Sequence, residues 1–453
     1  MIAVVVSRAD RASEHVGEHL LALADWDETT DDSLPDADGG GSVYRTDGFE
    51  LRTFAEWHLE LDGVASAFDD PDLLVFASRH SGETGPLLTA HFTGNFGPAD
   101  HGGEPNALAR ACPNAHSRLL EAFAEHAPEG YEVGTEATHH GPTDVGAPSL
   151  FVELGSGEAQ WDDPAGARAV ARSILDLAGE PPDRPGLAGD TAGFRRQVVG
   201  FGGGHYAPRF ERVVRETDWA VGHVAPDWGL DAMGHPARHR DVIEAAFVQS
   251  DAELALLDGE HPSLASVIEE LGYRIVSETW LRAVDGVPLA LVDRATDALC
   301  PVEDGLRFGT QAETIDPDAE LSVVDLPTDL LAEAQAVDRA AAIALVAAGA
   351  VAYEATESAT RLGDRALLAD PAEYDALIDG MCGLLREKYD AVDRATDAVV
   401  AHETAFDPAK AAELGVPEGP KFGRLADGEP VRINDETVTP DQVRTERVHR
   451  FPV

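Results

Sequence analysis

The sequence predicts an α/β fold: a mixed, mainly parallel sheet with helices on both faces, followed by a helical C-terminal extension. Apolar, β-branched runs such as residues 2–6 and 73–77 are typical of strands buried on both faces. Helical patterns alternate with these runs up to about residue 290, as they do in parallel sheets. The Ala-rich pattern that begins near residue 291 predicts the extension.

Each predicted strand is a short apolar or alternating run bounded by Gly, Pro or polar residues. These runs are residues 2–6, 43–54, 73–77, 87–92, 131–137, 150–154, 197–201 and 219–224. Periodic apolar positions predict helices after Asp10 up to Leu23, and at 107–125, 164–177, 238–251, 326–359 and 372–404. The acidic, Gly-rich residues 25–41 predict an exposed loop. We therefore expect three domains: an α/β catalytic domain at 1–290, a mainly helical extension at 291–405, and a small segment with short strands at 406–453.

Acidic residues outnumber Lys and Arg by 83 to 34, and the formal net charge is −49. The lysines, Lys388, Lys410 and Lys421, all lie in the last quarter of the chain. Such a composition is typical of proteins adapted to molar salt, where the Debye length is only ~3 Å and self-repulsion is largely screened. The charge therefore does not exclude nucleic acid, because local arginines and uncharged donors can still bind phosphate.

The cysteines, Cys112, Cys300 and Cys382, are too few and too far apart for a disulfide framework or a CxxC zinc site. This favours a reducing cytoplasm. The first apolar run has no basic residue before it, which indicates a strand rather than a signal peptide. No apolar stretch reaches transmembrane length. We expect a cytoplasmic monomer without membrane contact.

Histidines cluster beside turn residues in the segment SRHSGETGPLLTAHFTGNFG, residues 78–97. The ten-residue gap between His80 and His91 would let a strand end and a return strand bring the two imidazoles together. Metal ligation or general-base chemistry suits them, because imidazole titrates near neutral pH. Polar loop residues that bond to the backbone are an equally frequent alternative.

A second histidine motif, THHGPT at residues 138–143, follows the predicted strand at 131–137. Adjacent side chains of an extended segment point in opposite directions, so we expect only one of His139 and His140 to face a given pocket. Glu153 ends the next predicted strand. It is a candidate general base, or an acceptor that fixes a histidine tautomer, although an ordinary solvated carboxylate is as frequent.

A third motif, GFGGGHYAPR, spans residues 200–209. It lacks the Lys-Ser/Thr of a Walker loop. The amides of Gly202, Gly203 and Gly204 could form an anion nest, while Tyr206 offers a stacking face and Arg209 a phosphate fork. The alternative is a tight strand-to-helix turn.

Several of these residues are expected near the carboxyl ends of strands, where α/β sheets bind ligands: His80, Asn95, His139, His140, His205 and His223. The remaining histidines in helical or loop contexts are expected at the surface: His15, His19, His58, His116, His126, His235, His239 and His261.

Three blocks in this order, SRHSGETGPLLTAHFTGNFG, EATHHGPTDVGAPSLFVELGS and GFGGGHYAPRF, resemble the archaeal-type D-aminoacyl-tRNA deacylases over roughly the first 285 residues. The resemblance implies hydrolysis of the ester between a D-amino acid and tRNA, with two zinc ions per monomer. It also implies a phosphorylase/hydrolase-like fold similar to that of peptidyl-tRNA hydrolase.

Ester hydrolysis needs an activated water, an oxyanion donor and a hold on the tRNA 3′ end. Our candidate zinc ligands, inferred from the residues, are His80, His91, His139 and His205. The candidate catalytic residues are His80, His139, His140, Glu153 and His205. The candidate substrate contacts are Arg79, Ser81, Asn95, Thr138, Gly202, Gly203, Gly204, Tyr206 and Arg209. In this set Asn95 and the glycine amides hold the oxyanion, and Arg79 and Arg209 hold terminal phosphates. Catalysis without metal, by a histidine base, is the alternative.

Two other functions stay open from the sequence: a peptidyl-tRNA hydrolase or metal-dependent amidase on the same fold, and a non-catalytic RNA-binding module. The tail run GPKFGRLADGEPV is similar to a segment near the end of zinc-dependent tRNA 3′ processing nucleases. This makes the tail a candidate tRNA contact, with Lys421 and Arg424 as its bases.

Overall fold

In the computed structural model, which describes residues 1–434 and 436–453, the chain folds as two units, Met1–Asp285 and Gly286–Val453. The strands of the first unit are β1 (Ile2–Ser7), β2 (Asp27–Asp31), β3 (Asp38–Thr46), β4 (Phe49–Phe54), β5 (Leu73–Arg79), β6 (Leu87–His91), β7 (Gly94–Asn95), β8 (Ala107–Leu108), β9 (Glu132–Thr135), β10 (Ser149–Gly155), β11 (Gln197–Gly202), β12 (Ala220–Ala225), β13 (Leu254–Asp258) and β14 (Arg274–Val276). Its helices are α1 (Arg11–Leu23), α2 (Pro113–His126), α3 (Glu158–Trp161), α4 (Pro164–Leu175), α5 (Pro208–Glu216), α6 (Asp227–Met233), α7 (Arg240–Ser250), α8 (Pro262–Glu270) and α9 (Glu278–Ala283).

The larger sheet has eight strands in the order β2-β3-β4-β1-β5-β10-β6-β9. Its centre, β4-β1-β5-β10, is parallel, whereas β6 runs antiparallel to β10 and β9 runs parallel to β6. This confirms the mixed, mainly parallel α/β fold. Along β1, Val4 and Val6 enter the core beneath α1, α2 and α4, while Ala3 and Val5 enter a second core on the other face.

Among the described residues, the helices α1, α2 and α4 pack on one face of this sheet and none shares the core of the other face, which differs from the expectation of helices on both. The other face packs on Val64, Phe68 and Val145, which come from short 3-10 turns and loops. Both faces of the second sheet do carry helices. That sheet is fully parallel, in the order β12-β11-β13-β14. Helices α7 and α8 share a core with its strands, and Phe210 of α5 packs directly against Gly200 on the opposite face.

The second unit is richer in strands than the sequence predicts. Its helices are α10 (Leu289–Ala298), α11 (Thr328–Val337), α12 (Arg339–Gly349), α13 (Pro371–Leu385), α14 (Pro408–Glu413) and α15 (Pro420–Ala426). Its strands are β15 (Leu306–Phe308), β16 (Ser322–Asp325), β17 (Ala352–Thr356), β18 (Arg361–Leu368), β19 (Ala391–Arg394), β20 (Ala398–Phe406), β21 (Val431–Ile433), β22 (Glu436–Val438) and β23 (Arg444–Pro452).

The helix predicted at 326–359 is two helices followed by a strand, and the one predicted at 372–404 is α13 followed by β19 and β20. Strands β15 to β18 form an antiparallel sheet whose core includes Val346 and Met381 from the helices. The exposed loop predicted at 25–41 contains β2 and the start of β3, which pair as a hairpin. No helix in the described parts of the chain combines the length and apolar character needed to cross a membrane.

Candidate active site

The centre of the candidate site is Glu136, a buried carboxylate at the end of β9. Its Oε2 lies 2.7 Å from Nε2 of His205 and 3.7 Å from Nε2 of His139, and its Oε1 lies 3.0 Å from Nδ1 of His80. Despite these distances, neither oxygen has a hydrogen-bond partner of acceptable geometry among the described residues. The donor atoms therefore approach one another around a shared space rather than bonding directly.

Glu153, on β10, is the second buried carboxylate. It lies 3.5 Å from Nδ1 of His80 and 3.5 Å from Nε2 of His91. The His80 ring thus lies between the two carboxylates, and its Nε2 also contacts the Tyr206 hydroxyl at 3.2 Å. A Cβ on Gly155 would lie 2.7 Å from the Cβ of His80 and 2.8 Å from its ring. Glycine at this position is what permits the imidazole to lie so close to β10.

Three imidazoles surround the other side of this space. The His91 ring centroid lies 4.2 Å from that of His139 and 4.8 Å from that of His140. In each ring Nδ1 contacts a backbone carbonyl, that of Phe92, Ala137 or Gly141 respectively, at 2.7 to 3.1 Å. A carbonyl only accepts, so Nδ1 carries the proton and Nε2 keeps a free lone pair in the neutral ring. This is the tautomer that metal-binding histidines adopt.

Both adjacent histidines line the same pocket, so the expectation that only one would face it is wrong. His140 has a φ of 45°, which turns the chain out of the extended conformation on which side-chain alternation depends. We refer to the assembled residues as the carboxylate–histidine cluster: His80, His91, Glu136, His139, His140, Glu153 and His205.

The electrostatics of the cluster divide its histidines into two kinds. Burial lowers the pKa of His80, but the closeness and negative charge of Glu136 and Glu153 outweigh it and raise the pKa to about 11. Burial, together with the charge of His91, lowers the pKa of His139 to about 3, and burial also holds the pKa of His140 well below its ordinary value. Burial alone would raise the pKa of Glu136. The neighbouring histidines, His205 and His80 foremost, outweigh burial and hold that pKa well below the usual range. Without a bound cation, therefore, the His80 ring is protonated and the His139 ring is neutral.

Three sets of donor atoms in the cluster have the spacing of metal ligands. They are His80, Glu136 and Glu153; His91, His139 and His140; and Glu136, His139 and His205, with the donors of each set within 4.8 Å of one another. Nitrogen and carboxylate oxygen donors in threes, with a position left open, are the usual ligands of catalytic zinc. The two unpartnered oxygens of Glu136 and the unpartnered Nε2 of His91 fit a cation in this space.

The cluster opens into a pocket of about 390 Å³. The guanidinium of Arg79 is stacked at its edge, 4.3 Å from the Trp57 ring centroid and 4.8 Å from that of Trp161. No carboxylate in residues 1–434 or 436–453 pairs with this guanidinium. The pocket lining is Trp57, His58, Leu59, Ser78, Arg79, His80, Ser81, His101, Glu136, His139, His140, Phe151, Glu153 and His205.

Several predicted substrate contacts lie elsewhere. Arg209 donates to the Leu257 carbonyl and pairs with Asp258 and Glu278, so its guanidinium is already neutralised. The motif forms the tight strand-to-helix turn that was the alternative prediction, made by Gly202, Gly203 and Gly204. A Cβ on Gly202 would lie 2.0 Å from the Asp258 carbonyl, so this turn packs against the loop after β13 rather than against the cluster.

Asn95 and Thr138 also lie outside this pocket. Asn95 donates its amide N–H groups to the carbonyls of Gly102 and Glu104, at 3.0 and 3.2 Å, which leaves none for an oxyanion. The Thr138 hydroxyl contacts Nδ1 of His223 and accepts from the Val224 amide, both at 3.0 Å. His91 is brought to the cluster, but it lies behind the lining, fully buried.

Glu136, at the centre of the site, was not predicted from the sequence. Its signal was present: an acid at the end of a predicted strand, three residues before His139. Among 83 acids that position alone did not distinguish it. His58 and His116, predicted at the surface, are buried, and His58 and His101 line the pocket. Trp57 and Trp161 carried no sequence signal, because only the fold brings them to Arg79.

Comparison with known proteins gives a consistent result. The family model described as D-aminoacyl-tRNA deacylase matches residues 67–276. A D-aminoacyl-tRNA deacylase of Halorubrum lacusprofundi is 54% identical, covering 100% of this chain and 97% of the relative. One of Haloarcula marismortui is 51% identical with full coverage of both chains, and one of Methanococcoides burtonii is 31% identical over 98% of this chain and 94% of the relative.

Among solved structures, the chain is similar to a crystal structure of a conserved protein of unknown function. The identity is 27% and the TM-score 0.53, and the match covers 62% of this chain but 96% of that one. That shorter protein therefore matches only part of this chain, whereas the archaeal relatives match nearly all of it.

Proposed function

Because the chain belongs to the D-aminoacyl-tRNA deacylase family, we propose that the carboxylate–histidine cluster is where it hydrolyses D-aminoacyl-tRNA. The enzyme is a hydrolase that cleaves the ester between a D-amino acid and the tRNA 3′ end. The single observation that supports this location best is Glu136, whose two buried oxygens approach three imidazoles without a hydrogen bond.

We propose that the cluster holds two zinc ions, the number that the family resemblance implies. Two of the three donor sets share no residue: His80, Glu136 and Glu153 form one, and His91, His139 and His140 form the other. The third set takes Glu136 from the first and His139 from the second, so it cannot be filled independently. This assignment leaves His205 outside both sets. Bound zinc would lower the pKa of a water ligand to about 7 and polarise the ester carbonyl.

The low pKa of His139 supports a ligand role over a general-base role. A base works best when its pKa is near the working pH, and a pKa of about 3 is roughly four units too low. The same low pKa favours ligation, because a metal has no proton to displace from Nε2 at neutral pH.

We assign proton transfer to His205. Its side chain is 32% exposed, more than the other histidine side chains that contact the two carboxylates, and its Nε2 lies 2.7 Å from Glu136. A carboxylate behind an imidazole orients the ring and stabilises its protonated form. In this scheme His205 accepts a proton as water adds to the ester carbonyl and returns it to the leaving tRNA 3′ oxygen.

Arg79, rather than Arg209, is proposed to hold a phosphate of the tRNA 3′ end. Its guanidinium is unpaired in the described part of the chain, lines the pocket and is stacked between Trp57 and Trp161. Trp161 is itself fixed by donating its indole N–H to the His80 carbonyl at 2.9 Å. A stacked guanidinium is pre-organised for phosphate without losing its charge.

The test is release of D-tyrosine from D-tyrosyl-tRNA in molar KCl, compared with L-tyrosine from the L-ester and with N-acetyl-D-tyrosyl-tRNA. We expect hydrolysis of the D-ester alone, and losses of at least ~10²-fold in His139→Ala and His205→Ala. Equal hydrolysis of the D- and L-esters, or of neither, contradicts the proposal. Preference for the N-blocked ester would indicate a peptidyl-tRNA hydrolase.

The finer features implied by sequence and resemblance stay predictions: the likeness to peptidyl-tRNA hydrolase, the cytoplasmic location, the monomeric state and a tRNA contact in the tail. In the tail, Lys421 donates to the Arg432 carbonyl and Arg424 pairs with Glu429. Both pairs are exposed, so competition from phosphate can replace them at little cost.

A further inference from the structure

A second, smaller cavity adjoins the pocket of the cluster. Its volume is about 150 Å³, and it is lined by residues 94–98, by Asp100 and Thr138, and by Trp228 and its neighbours on α6. The mechanism above uses none of these residues. An engineered cavity of about this volume holds one benzene molecule, so the space suits a single aromatic ring system rather than a whole nucleotide.

The linings of the two cavities contain residues that are neighbours along the chain. Asp100 and Thr138 line the small cavity, and the residues that follow them, His101 and His139, line the pocket of the cluster. The Gly94 amide also donates to the His140 carbonyl at 2.8 Å. Consecutive Cα atoms are ~3.8 Å apart, so a ligand with one end at the cluster reaches the small cavity within a single nucleoside.

The chemistry of the lining selects a neutral aromatic group. Trp228 is 50% exposed, the most exposed of the large aromatic side chains, which makes its ring available for stacking. No Lys or Arg lines the cavity, and Asp100 does, so a phosphate would be repelled there. Asn95 donates its side-chain N–H groups to two backbone carbonyls, which leaves its side-chain carbonyl oxygen as an acceptor. An exocyclic base amine, such as N6 of adenine, is a matching donor.

We propose that this cavity binds the base of the 3′-terminal adenosine of the substrate, stacked on Trp228, while the aminoacyl ester lies at the cluster. The proposal rests on the proposed deacylase function and deepens it by assigning a subsite for the nucleoside. It gives a role to an exposed indole that lines this cavity, and it makes the base part of substrate selection.

The kinetic test compares two small substrates, 3′-O-D-tyrosyl-adenosine and the same ester on a ribose that carries a methoxy group instead of the base. We expect the wild-type enzyme to prefer the adenosine ester. Trp228→Ala should lower kcat/KM for the adenosine ester by about 5- to 150-fold, the range of base–aromatic stacking, and leave the ribose ester unchanged. Trp228→Phe should keep most of the preference. Val248→Ala, which alters a side chain 59% exposed that lines neither cavity, is the matched control and should change nothing.

Equal loss on both esters in Trp228→Ala would overturn the subsite, because it would indicate a structural role. The subsite would also be overturned if Trp228→Ala kept the preference for adenosine but changed the ratio of kcat/KM for D-tyrosyl and D-alanyl esters. That result would place the amino-acid side chain in the cavity. A binding measurement distinguishes failure of this proposal from failure of the deacylase function. Adenosine should quench the tryptophan fluorescence of the wild-type protein and not that of Trp228→Phe, whether or not either ester is hydrolysed. Equal quenching in both proteins would also overturn the subsite.

Discussion

At the scale of single residues, the site depends on a carboxylate that serves several imidazoles at once. Glu136 is within 4 Å of His80, His139 and His205, so its loss removes one proposed metal donor and the group that orients the proposed proton carrier. The exposed Glu132 begins the strand that ends just before Glu136. It offers a control that changes the same functional group without touching the cluster.

We predict that Glu136→Gln lowers kcat/KM by at least ~10²-fold and reduces the zinc retained after dialysis below two ions per chain, because an amide is a weaker ligand than a carboxylate. The pKa of His80 should fall as well, since Glu136 is a main contributor to its rise to about 11. Elemental analysis and the pH titration of the His80 ring signals by NMR in metal-free protein measure both effects. Wild-type zinc content in Glu136→Gln, or a similar loss in Glu132→Gln, would contradict the assignment.

Arg79 leads to a prediction of a different kind, an effect on substrate binding. Arg79→Lys keeps the charge but loses the planar group between Trp57 and Trp161. We expect KM for D-aminoacyl-tRNA to rise about 10-fold or more, the usual cost of losing a charged hydrogen bond, with kcat little changed. Arg240→Lys, at an exposed pair with Glu270, should leave both constants unchanged. An effect of Arg79→Lys on kcat alone would assign the residue to chemistry instead.

At the scale of elements, the cluster depends on how closely β5 and β10 approach. We predict that Gly155→Ala lowers kcat/KM by about 10-fold or more, because the added methyl would lie 2.7 Å from His80 and force its ring away from both carboxylates. Gly157→Ala is the matched control. Its backbone is extended and its nearest neighbour to a new Cβ is 3.8 Å away. Steady-state kinetics of the two variants, with circular dichroism to check folding, measure the difference. Equal effects in both would show that the close approach of His80 is not required.

The elements also show what local sequence can predict. In the first unit β2, β13 and β14 were missed and β3 and β4 were predicted as one run. The strands β1, β5, β6, β9, β10, β11 and β12 were predicted to within two residues, because continuous apolar runs and alternation are visible in a short window. The second unit was not. The heptapeptide VDRATDA lies within helix α10 at 292–298, yet at 392–398 it runs from β19 into β20. The pairing of β20 with β19 and β23 decides the second case, and such long-range partners are invisible in a short window.

The candidate site divides in the same way. Histidines next to turn residues at strand ends were recognised from the sequence, because few other structural roles concentrate them there. Residues that reach the site only through long-range packing were not recognised, Trp57 and Trp161 among them. The positive φ of His140 reversed the prediction of side-chain direction, since alternation holds only for extended backbone.

At the scale of the whole molecule, salt affects the net charge of −49 and the buried histidines differently. Surface repulsion is screened by molar salt, whereas buried imidazoles are not reached by ions. His58, His116 and His223 lie outside the carboxylate–histidine cluster, and burial lowers the pKa of these rings to about 3, 4 and 4 respectively. Each is therefore neutral in the folded protein at a pH where it is protonated in the unfolded chain.

The sign of the resulting pH dependence follows from proton counts. Below about pH 6.5 the unfolded chain binds protons on these three rings that the folded protein does not, so stability falls as the pH falls. In the metal-free protein His139 and His140 add to this effect, because burial lowers their pKa values as well. The slope approaches ~1.4 kcal/mol per pH unit for each ring until the folded pKa values are reached. His80, with its pKa raised to about 11, stays protonated in the folded protein and opposes this slope only down to about pH 5.5, where the unfolded ring is protonated too.

We therefore predict that the free energy of unfolding of the metal-free protein in molar KCl decreases steeply from pH 7 to pH 5. His116→Gln should reduce that slope by up to ~1.4 kcal/mol per pH unit, because one titrating ring is removed while a partner for the Thr135 hydroxyl, 2.9 Å from Nε2, is kept. His235→Gln, at an exposed residue, is the control and should keep the full slope. Urea unfolding at each pH gives the slopes directly. A flat profile, or one in which stability rises as the pH falls, would show that these histidines are protonated in the folded protein and not held neutral by burial.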